Sequence, residues 1–181
     1  YAKAKNKSLV TAVDKANNME FYSLWRETAD KIEKDYDEIN CEYGFVDFVV
    51  TQLLRAPERY QVLVAPNMFG DIITDLGTVV QGGLGLSAGA NINPEGISMF
   101  QPVHGSAPKF KDKKIVNPIA SIRAASMMLE NLGEQKSADL IMKAIESVLK
   151  GGRTRTQDIG GHNTTSEMGD AIKDKLVDLH D

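Results

Sequence analysis

The stretch that decides the fold is "YQVLVAPNMFGDIITDLGTVVQ", residues 60–81. Its first seven residues, 60–66, are mostly β-branched or apolar and end in a proline, which predicts a buried strand. A helix is predicted directly behind this strand, because apolar residues recur there every three or four positions. These apolar residues are Ile72, Ile73, Leu76 and Val79. A strand that runs straight into a helix is typical of α/β proteins.

Two aspartates lie on the other face of this helix. Asp71 and Asp75 are four residues apart and share that face with Thr78, since residues at this spacing lie one turn above each other. Like charges so placed destabilise a bare helix by roughly 0.2–0.5 kcal/mol. Two interpretations stay open: a solvated helix face, or a divalent metal site, because Mg²⁺ and Mn²⁺ prefer carboxylate oxygens. The segment also lies behind a strand, where α/β sheets place their ligand sites.

Strand-like and helix-like patterns alternate along the rest of the chain. A strand is predicted over 8–13, an amphipathic helix from Asn18 to Tyr36, and a further helix over 44–57, ended by Pro57. Further along, regular structure is predicted to break at 82–89, and a strand is predicted at 97–103. Helices are predicted at 118–132 and 134–150. A last helix is predicted to start at the capping box of Thr164 and Glu167 and to bury Met168, Ile172, Leu176 and Leu179. The alternation predicts an α/β fold with largely parallel strands.

The composition indicates an ordinary globular chain. The 181 residues are 42% hydrophobic and 25% charged, with a net charge of −4. Lysines and arginines are scattered, so we expect neither a nucleic-acid nor a membrane partner. The single cysteine, Cys41, excludes an internal disulfide and is interpreted as a half-buried hydrophobic residue. Without a visible signal peptide, or an apolar run near the roughly 20 residues that span a bilayer, a cytoplasmic location is predicted.

Two further charged residues lie in unusual surroundings. Asp47 stands in "GFVDFVV" between large apolar residues, a position that is unfavourable for a carboxylate unless it is paired. Lys15 follows the predicted strand at 8–13. An ordinary helix-face aspartate and an ordinary surface lysine remain alternatives, but a desolvated lysine with a lowered pKa could exchange protons with a substrate.

Small residues form a second candidate site in "HGSAP", residues 104–108. Backbone N–H groups of such a loop can approach a phosphate or an adenine closely, although His104 alone is more often structural. The glycine-rich "GGLGLSAG", residues 82–89, follows a helix and lacks the G-x-G-x-x-G spacing. It is therefore rejected as a Rossmann loop.

Five segments, in this order, resemble the β-decarboxylating dehydrogenases, the family of isocitrate, 3-isopropylmalate, homoisocitrate and tartrate/D-malate dehydrogenases. They are "VDKANNM", "VDFVVTQLLRAPERYQVLVAPNMFGDIITDLG", "GANINPE", "QPVHGSAPKFKDKKIVNPIAS" and "TQDIGGHNTTSEMGDAI". The resemblance implies an α/β isocitrate/isopropylmalate dehydrogenase-like fold that is not a Rossmann fold. It also implies NAD(P)-linked oxidation and decarboxylation of a malate-type 2-hydroxy acid, with Mg²⁺ or Mn²⁺ held against the substrate.

The resemblance assigns roles to the charged residues. Asp71 and Asp75 match the metal-binding acids of one subunit, and Asp47 matches the acid supplied across a dimer interface. Lys15 matches the lysine of proton transfer, which also reaches the partner's site. A homodimer or higher oligomer with shared active sites is therefore implied.

The resemblance also assigns cofactor positions. Asn17 matches an asparagine near the nicotinamide, and the adenosine-binding positions are matched by His104, Gly105, Ser106, Ala107 and Asn117. Lys109 with Phe110 resembles the Lys-Tyr pair that NADP-dependent isocitrate dehydrogenases use against the 2′-phosphate. Gln157 and Gly161 stand where that type has a tyrosine and an arginine. A lone lysine is a weaker phosphate clamp than a full set, so NAD is favoured over NADP.

The family's N-terminal half, with its substrate-binding arginines and catalytic tyrosine, has no counterpart in this sequence. Residues 1–84 are expected to be the later part of the smaller, dimer-forming domain, and 85–181 the later part of the larger, cofactor-binding domain. This chain alone is expected to be inactive. "AGANINPE" and "TSEMGDAI" look closest to the tartrate/D-malate type, with 3-isopropylmalate as an alternative. A non-catalytic regulatory subunit, or a truncated dimerisation or binding module, is the competing hypothesis.

Overall fold

The computed structural model describes residues 1–180, which form two compact units. The first unit is Tyr1–Val80, and the second begins at Gln81. Both contain helices and strands, which confirms the predicted α/β class. Within residues 1–180, no helix combines the length and the apolar character needed to cross a bilayer.

The first unit is built on a parallel sheet. Its elements are β1 (Leu9–Asp14), α1 (Tyr22–Glu33), β2 (Asn40–Phe45), α2 (Val46–Arg55), β3 (Val62–Val64) and α3 (Asn67–Val80). The strand order is β2-β1-β3, and β1 pairs in parallel with both neighbours. Leu9 lies opposite Asn40, and Val10 lies opposite Val62. The largely parallel pairing predicted from the alternation is confirmed for this sheet.

The central strand of this sheet, β1, is buried over its second half. The last four residues of β1, from Thr11 to Asp14, are all buried, as expected for a strand with helices packed on it. One hydrophobic core joins β1 to the helices through Val13, Tyr22, Val49, Phe69 and Ile73. The sheet and helices therefore form one packed layer structure around β1.

The second unit combines a hairpin-like pair of strands with three helices. Its elements are β4 (Ala88–Asn91), β5 (Met99–Pro102), α4 (Ile119–Asn131), α5 (Gln135–Gly151) and α6 (Thr165–His180). Strands β4 and β5 are antiparallel, with Ala90 opposite Phe100. The core consists of Leu86, Ile119, Ala144, Ile145, Met168 and Ile172.

Helix ends in this unit follow their sequence signals. The capping box at the start of α6 is confirmed: the backbone N–H of Glu167 donates to the Thr164 hydroxyl at 3.3 Å, and Glu167 Oε2 accepts from the Thr164 backbone N–H at 2.6 Å. Because the backbone N–H and the hydroxyl of Thr164 both donate to the carboxylate and favour its charged form, the pKa of Glu167 is lowered. Gly152 ends α5 with a φ of 66°, and Gly133 follows α4 with a φ of 86°, conformations that favour glycine.

Two predicted boundaries were wrong. Residues 40–45 form β2, whereas 44 and 45 were predicted as helix, and α2 begins only at Val46. Gly44 allows the abrupt turn from strand to helix, because a Cβ there would lie 2.5 Å from Val49 Cγ2. Helix α1 begins at Tyr22 and ends at Glu33, since the residues after Lys15 form turns instead of helix.

The predicted buried faces of two helices were also partly wrong. In α3, Ile72 and Val79 are 53% and 69% exposed, whereas Thr78, predicted to share the outer face with the aspartates, is buried. The Thr78 hydroxyl is satisfied by donating to the Asp75 carbonyl at 2.7 Å. In α6, Met168 and Ile172 are buried as predicted, but Leu179 is 37% exposed because it lies in the last turn.

The core of the second unit gives a stability prediction. Met168 is fully buried at the centre of the helix cluster, so Met168→Ala is expected to lower the free energy of unfolding by about 2–5 kcal/mol. Val177, on the same helix, is 55% exposed, so Val177→Ala is the matched control, with an expected change within about 0.5 kcal/mol. Urea denaturation measures both, and equal losses would contradict the assigned packing.

Candidate functional site

The carboxyl ends of three parallel strands determine where the candidate residues of the first unit lie. Strands β1, β2 and β3 run in the same direction, so the segments that follow them leave the sheet at one edge. Lys15 directly follows β1, Asp47 lies in the first turn of α2 behind β2, and α3 begins three residues after β3. The fold therefore brings together segments that are far apart in sequence.

Lys15 and Asp47 form an ion pair at this edge. The Lys15 Nζ atom lies 2.6 Å from Asp47 Oδ1, although 32 positions separate the two residues. The Lys15 side chain is 23% exposed, and its ammonium lies 5.9 Å from the centre of the Phe45 ring. The hydrogen bond from Lys15 lowers the pKa of Asp47, so the carboxylate is charged at neutral pH. Asp47 thus has the charged partner that its apolar neighbours in the sequence led us to expect.

A second ion pair, which sequence analysis missed, lies just behind Lys15. Asp14 is the last residue of β1, and its side chain is fully buried. Arg26 of α1 donates to both of its carboxylate oxygens, at 2.6 Å and 3.0 Å. An acid at the end of an otherwise apolar strand was the available sequence signal, because a buried carboxylate requires a partner.

Asp71 and Asp75 lie on the exposed face of α3, as predicted. Neither carboxylate has a hydrogen-bond or ion-pair partner among residues 1–180. In the same part of the chain, no group of three His, Cys, Asp or Glu side chains is arranged to hold a metal ion. The structure therefore does not bring Asp47 to these two acids within one copy of the chain.

Asn17 lies two residues beyond Lys15. It is exposed and belongs to a turn between β1 and α1. The backbone N–H groups of Asn18 and Met19 both donate to the Lys15 carbonyl at 3.0 Å, so the turn that carries Asn17 is closed on Lys15. The side chain is therefore presented to solvent close behind the lysine.

The loop His104–Ala107 of the second unit holds an unsatisfied polar atom. His104 Nδ1 lies 2.9 Å from the carbonyl oxygen of Gly105, so Nδ1–H donates there. Nε2 is buried and has no hydrogen-bond partner among residues 1–180. Gly105 and Ser106 are exposed, and Ala107 adopts a left-handed φ of 44°, an uncommon conformation for alanine. A buried nitrogen without a partner beside an exposed loop fits a ligand-binding role.

Lys109 and Asn117 differ in exposure and in hydrogen bonding. Lys109 is exposed, with its Nζ 4.9 Å from the centre of the Phe110 ring. Asn117 is 3% exposed; its Oδ1 accepts from the Ile119 backbone N–H at 3.0 Å and its Nδ2 donates to Asp158 at 3.0 Å. The Asn117 side chain thus satisfies the start of α4, a structural role that sequence analysis did not assign to it.

Known dehydrogenases resemble this chain along nearly its whole length. A profile described as isocitrate/isopropylmalate dehydrogenase matches residues 1–172. The 3-isopropylmalate dehydrogenase of Haemophilus influenzae is 42% identical over 177 residues, which cover 94% of this chain and 49% of the relative. That of Halalkalibacterium halodurans is 40% identical over 178 residues, covering 98% of this chain and 48% of the relative. The chain spans about half the length of these curated relatives.

Solved structures give the same result. An isocitrate dehydrogenase from Methylococcus capsulatus has a TM-score of 0.91 and 40% identity, covering 97% of this chain and 52% of that one. A β-decarboxylating dehydrogenase from Thermococcus kodakarensis, in its apo form, has a TM-score of 0.89 and 31% identity, covering 99% of this chain and 52% of that one. The fold is therefore the α/β fold of these dehydrogenases, as predicted. The chain belongs to the isocitrate/isopropylmalate dehydrogenase family.

The ion pair at the sheet edge gives a prediction about titration. Because Lys15 stabilises the charged form of Asp47, Lys15→Met is expected to raise the pKa of Asp47 back toward its ordinary value. Lys3→Met is the matched control, since Lys3 pairs with Glu38 at 2.7 Å in the same unit and does not contact Asp47. Carboxyl ¹³C chemical shifts followed against pH measure both variants.

The sign of the pH effect follows from the same pair. A lowered folded-state pKa means that the ion pair stabilises the fold above the unfolded-state pKa and that this contribution disappears as pH falls through the folded-state pKa. An Asp47 titration curve that is identical in the parent protein and in Lys15→Met would contradict the assigned contact.

Proposed function

We propose that this chain supplies the metal-binding and proton-transfer residues, and part of the NAD site, of an enzyme that oxidatively decarboxylates a malate-type 2-hydroxy acid. The observation that carries this proposal is the pair Asp71 and Asp75, two exposed like charges on one helix face without a cation partner in residues 1–180. The named relatives support the reaction class, since they are 3-isopropylmalate dehydrogenases and an isocitrate dehydrogenase.

The chemistry of the donor set fits a divalent cation. Mg²⁺ and Mn²⁺ take hard oxygen ligands, usually one or two carboxylates together with water and substrate oxygens. Asp71 and Asp75 would hold the ion from one copy of the chain, and Asp47 from a second copy. When bound, the cation would supply a positive charge that makes the substrate hydroxyl more acidic and stabilises the negative charge that develops as CO₂ is lost. A cation also removes the repulsion between the two aspartates.

Lys15 is proposed to move the proton. Its ammonium is held by Asp47 at 2.6 Å and is only partly exposed, so its position is fixed more firmly than that of a free surface lysine. As the neutral amine, Lys15 would accept the proton of the substrate hydroxyl, directly or through one water, and the ammonium so formed would return a proton to the carbon that loses CO₂. The Lys15–Asp47 contact keeps the amine oriented between these two transfers.

Two copies of the chain are proposed to share each active site. Helices α2 and α3, which carry the three aspartates, also expose large apolar side chains that a single unit leaves uncovered. These are Phe48, Leu54, Met68, Ile72 and Val79. Apolar side chains gathered on neighbouring elements mark association surfaces, and a twofold homodimer is the commonest closed arrangement. A dimer would cover these side chains while carrying Asp47 and Lys15 to the partner's site.

NAD is the proposed cofactor, with His104–Ala107 at its adenosine. The unsatisfied Nε2 of His104 supports this placement, and Asn17 is proposed near the nicotinamide. Gly161 supports NAD over NADP: a Cβ at this position would lie 2.0 Å from the Arg155 carbonyl oxygen, so the arginine of the NADP type has no room. Lys109 is then left as the lone candidate for a 2′-phosphate contact, a weaker clamp than a full set.

The choice among acids is proposed to depend on residues beyond this chain. The chain spans about half of its curated relatives, and the sequence resemblance places the substrate-binding arginines in the other half. 3-Isopropylmalate and isocitrate are the acids named by the relatives, and D-malate or tartrate is favoured by "AGANINPE" and "TSEMGDAI". The non-catalytic alternative is disfavoured because Lys15, Asp47, Asp71 and Asp75 are all retained.

The metal assignment is tested in a protein of the relatives' full length that carries this chain. Asp71→Asn is expected to abolish tight Mn²⁺ binding, because it removes a charged ligand and leaves one carboxylate on α3. Turnover on 3-isopropylmalate, isocitrate, D-malate and tartrate, followed by NADH absorbance, is expected to fall with it by at least about 100-fold. Calorimetric titration with Mn²⁺ measures binding independently of turnover.

Asp178→Asn on α6 is the matched control, since Asp178 is also an exposed helical aspartate and, among residues 1–180, pairs with Lys175 alone, at 3.4 Å. It is expected to bind Mn²⁺ like the parent protein. Equal Mn²⁺ binding by the parent and by Asp71→Asn would overturn the metal site. Normal Mn²⁺ binding without turnover on any acid would favour the non-catalytic alternative.

A further inference from the structure

The Asp14–Arg26 ion pair is an unusual element of the first unit. Asp14 is fully buried at the end of the central strand, where a lone carboxylate would be strongly unfavourable. Arg26 donates to it through Nε at 2.6 Å and through a second nitrogen at 3.0 Å, a bidentate geometry. Apolar side chains of similar volume often stabilise a core as well as a buried ion pair does. Stability alone therefore does not explain why an ion pair, and not apolar side chains, occupies this position.

The carboxylate of Asp14 also holds the backbone around Lys15. Its Oδ1 accepts the backbone N–H of Ala16 at 2.9 Å, so one side chain bonds to the chain two residues further on and closes a turn over Lys15. The carbonyl of Lys15 accepts two further backbone N–H groups, as described above. The lysine thus begins from a backbone that is fixed on both sides.

Arg26 is itself held by the neighbouring strand. The Cζ atom of Arg26 lies 4.7 Å from the centre of the Tyr43 ring and 5.4 Å from that of Phe45. The Tyr43 hydroxyl lies between two acceptors, the Arg26 carbonyl oxygen at 3.0 Å and the Asp30 carboxylate. Phe45 also lies 5.9 Å from the Lys15 ammonium, so one ring lies close to both cations.

We propose that Asp14 and Arg26 are positioning residues for Lys15, fixing the turn from which its amine reaches Asp47 and the reacting proton. This inference rests on the proposed function of Lys15. The pair acts through the backbone of residues 14–16 and through the shared ring of Phe45. The Asp14 side chain is fully buried and that of Arg26 is 32% exposed, so water has little access to the carboxylate that holds the turn.

The inference is tested with Arg26→Gln in the full-length protein. Loss of the bidentate pair is expected to lower kcat about 10- to 100-fold, since small displacements of a proton-transfer group slow the reaction strongly. The KM for NAD is expected to stay within about twofold, because neither Asp14 nor Arg26 is among the residues proposed for NAD binding. The solvent deuterium isotope effect on kcat is expected to rise as proton transfer becomes slower. Arg26→Lys, which keeps one donor, is expected to recover part of kcat.

Arg59→Gln is the matched control. Arg59 also lies over two aromatic rings, of Phe48 and Tyr60, and pairs with Glu42 at 3.7 Å, but it does not contact the turn of Lys15. Its kcat is expected to stay within about twofold of the parent. An Arg26→Gln protein with unchanged kcat, or with a lower kcat but an unchanged solvent isotope effect, would overturn the positioning role.

Lys15→Met separates the two proposals. If Lys15→Met loses turnover while Arg26→Gln keeps it, the positioning role fails and the proposed function of Lys15 stands. If Lys15→Met keeps normal turnover, the proposed function of Lys15 fails and the positioning role fails with it. Should Arg26→Gln not fold, Arg26→Lys carries the test, with a smaller loss of kcat and the same rise in isotope effect as the supporting result.

Discussion

The parallel alignment of β1, β2 and β3 is the constraint on which the candidate site depends. Because the strands run in one direction, Lys15, Asp47 and the start of α3 all follow strands that end at the same sheet edge. The central position of β1 in the order β2-β1-β3 explains why Lys15 meets Asp47 of the adjacent strand's helix. The same strand ends in Asp14, whose buried charge is satisfied by Arg26 and whose second bond closes the turn under Lys15.

The acids of this unit divide into two kinds by their partners. Asp14 and Asp47 are each bound to a cation of the same chain, whereas Asp71 and Asp75 face solvent without such a partner in residues 1–180. Like charges one turn apart are tolerated on a helix because their repulsion is small, and a cation bound between them turns the pair into a ligand set. We therefore interpret α3 as one part of a metal site and the Lys15–Asp47 pair as the part offered to a second copy.

Much of this architecture could be predicted from sequence, because it depends on local signals. Each of these signals lies within a few adjacent residues: the strand before "NMFGDIITD", the capping box at Thr164, and the glycines that end α4 and α5. The strand β2 was missed because its last two residues, Gly44 and Phe45, join the apolar run of α2, and the pairing with β1 is what shows residues 40–45 to be extended. Contacts across 12 or 32 positions, such as Asp14 with Arg26 and Lys15 with Asp47, depend on strand order and register. The buried face predicted for α3 from helical periodicity was partly wrong, because Ile72 and Val79 are exposed. An apolar helix face does not by itself reveal which surface will cover it.

The central claim, a site completed by two copies of the chain, is tested most directly by mixing two inactive subunits. Full-length Asp47→Asn and Asp71→Asn proteins are unfolded together and refolded, so that half of the dimers contain one subunit of each kind. Each mixed dimer then has one site with all its acids intact, and about a quarter of the parent turnover is predicted for a twofold dimer. A mixture no more active than the two variants refolded separately would contradict a shared site.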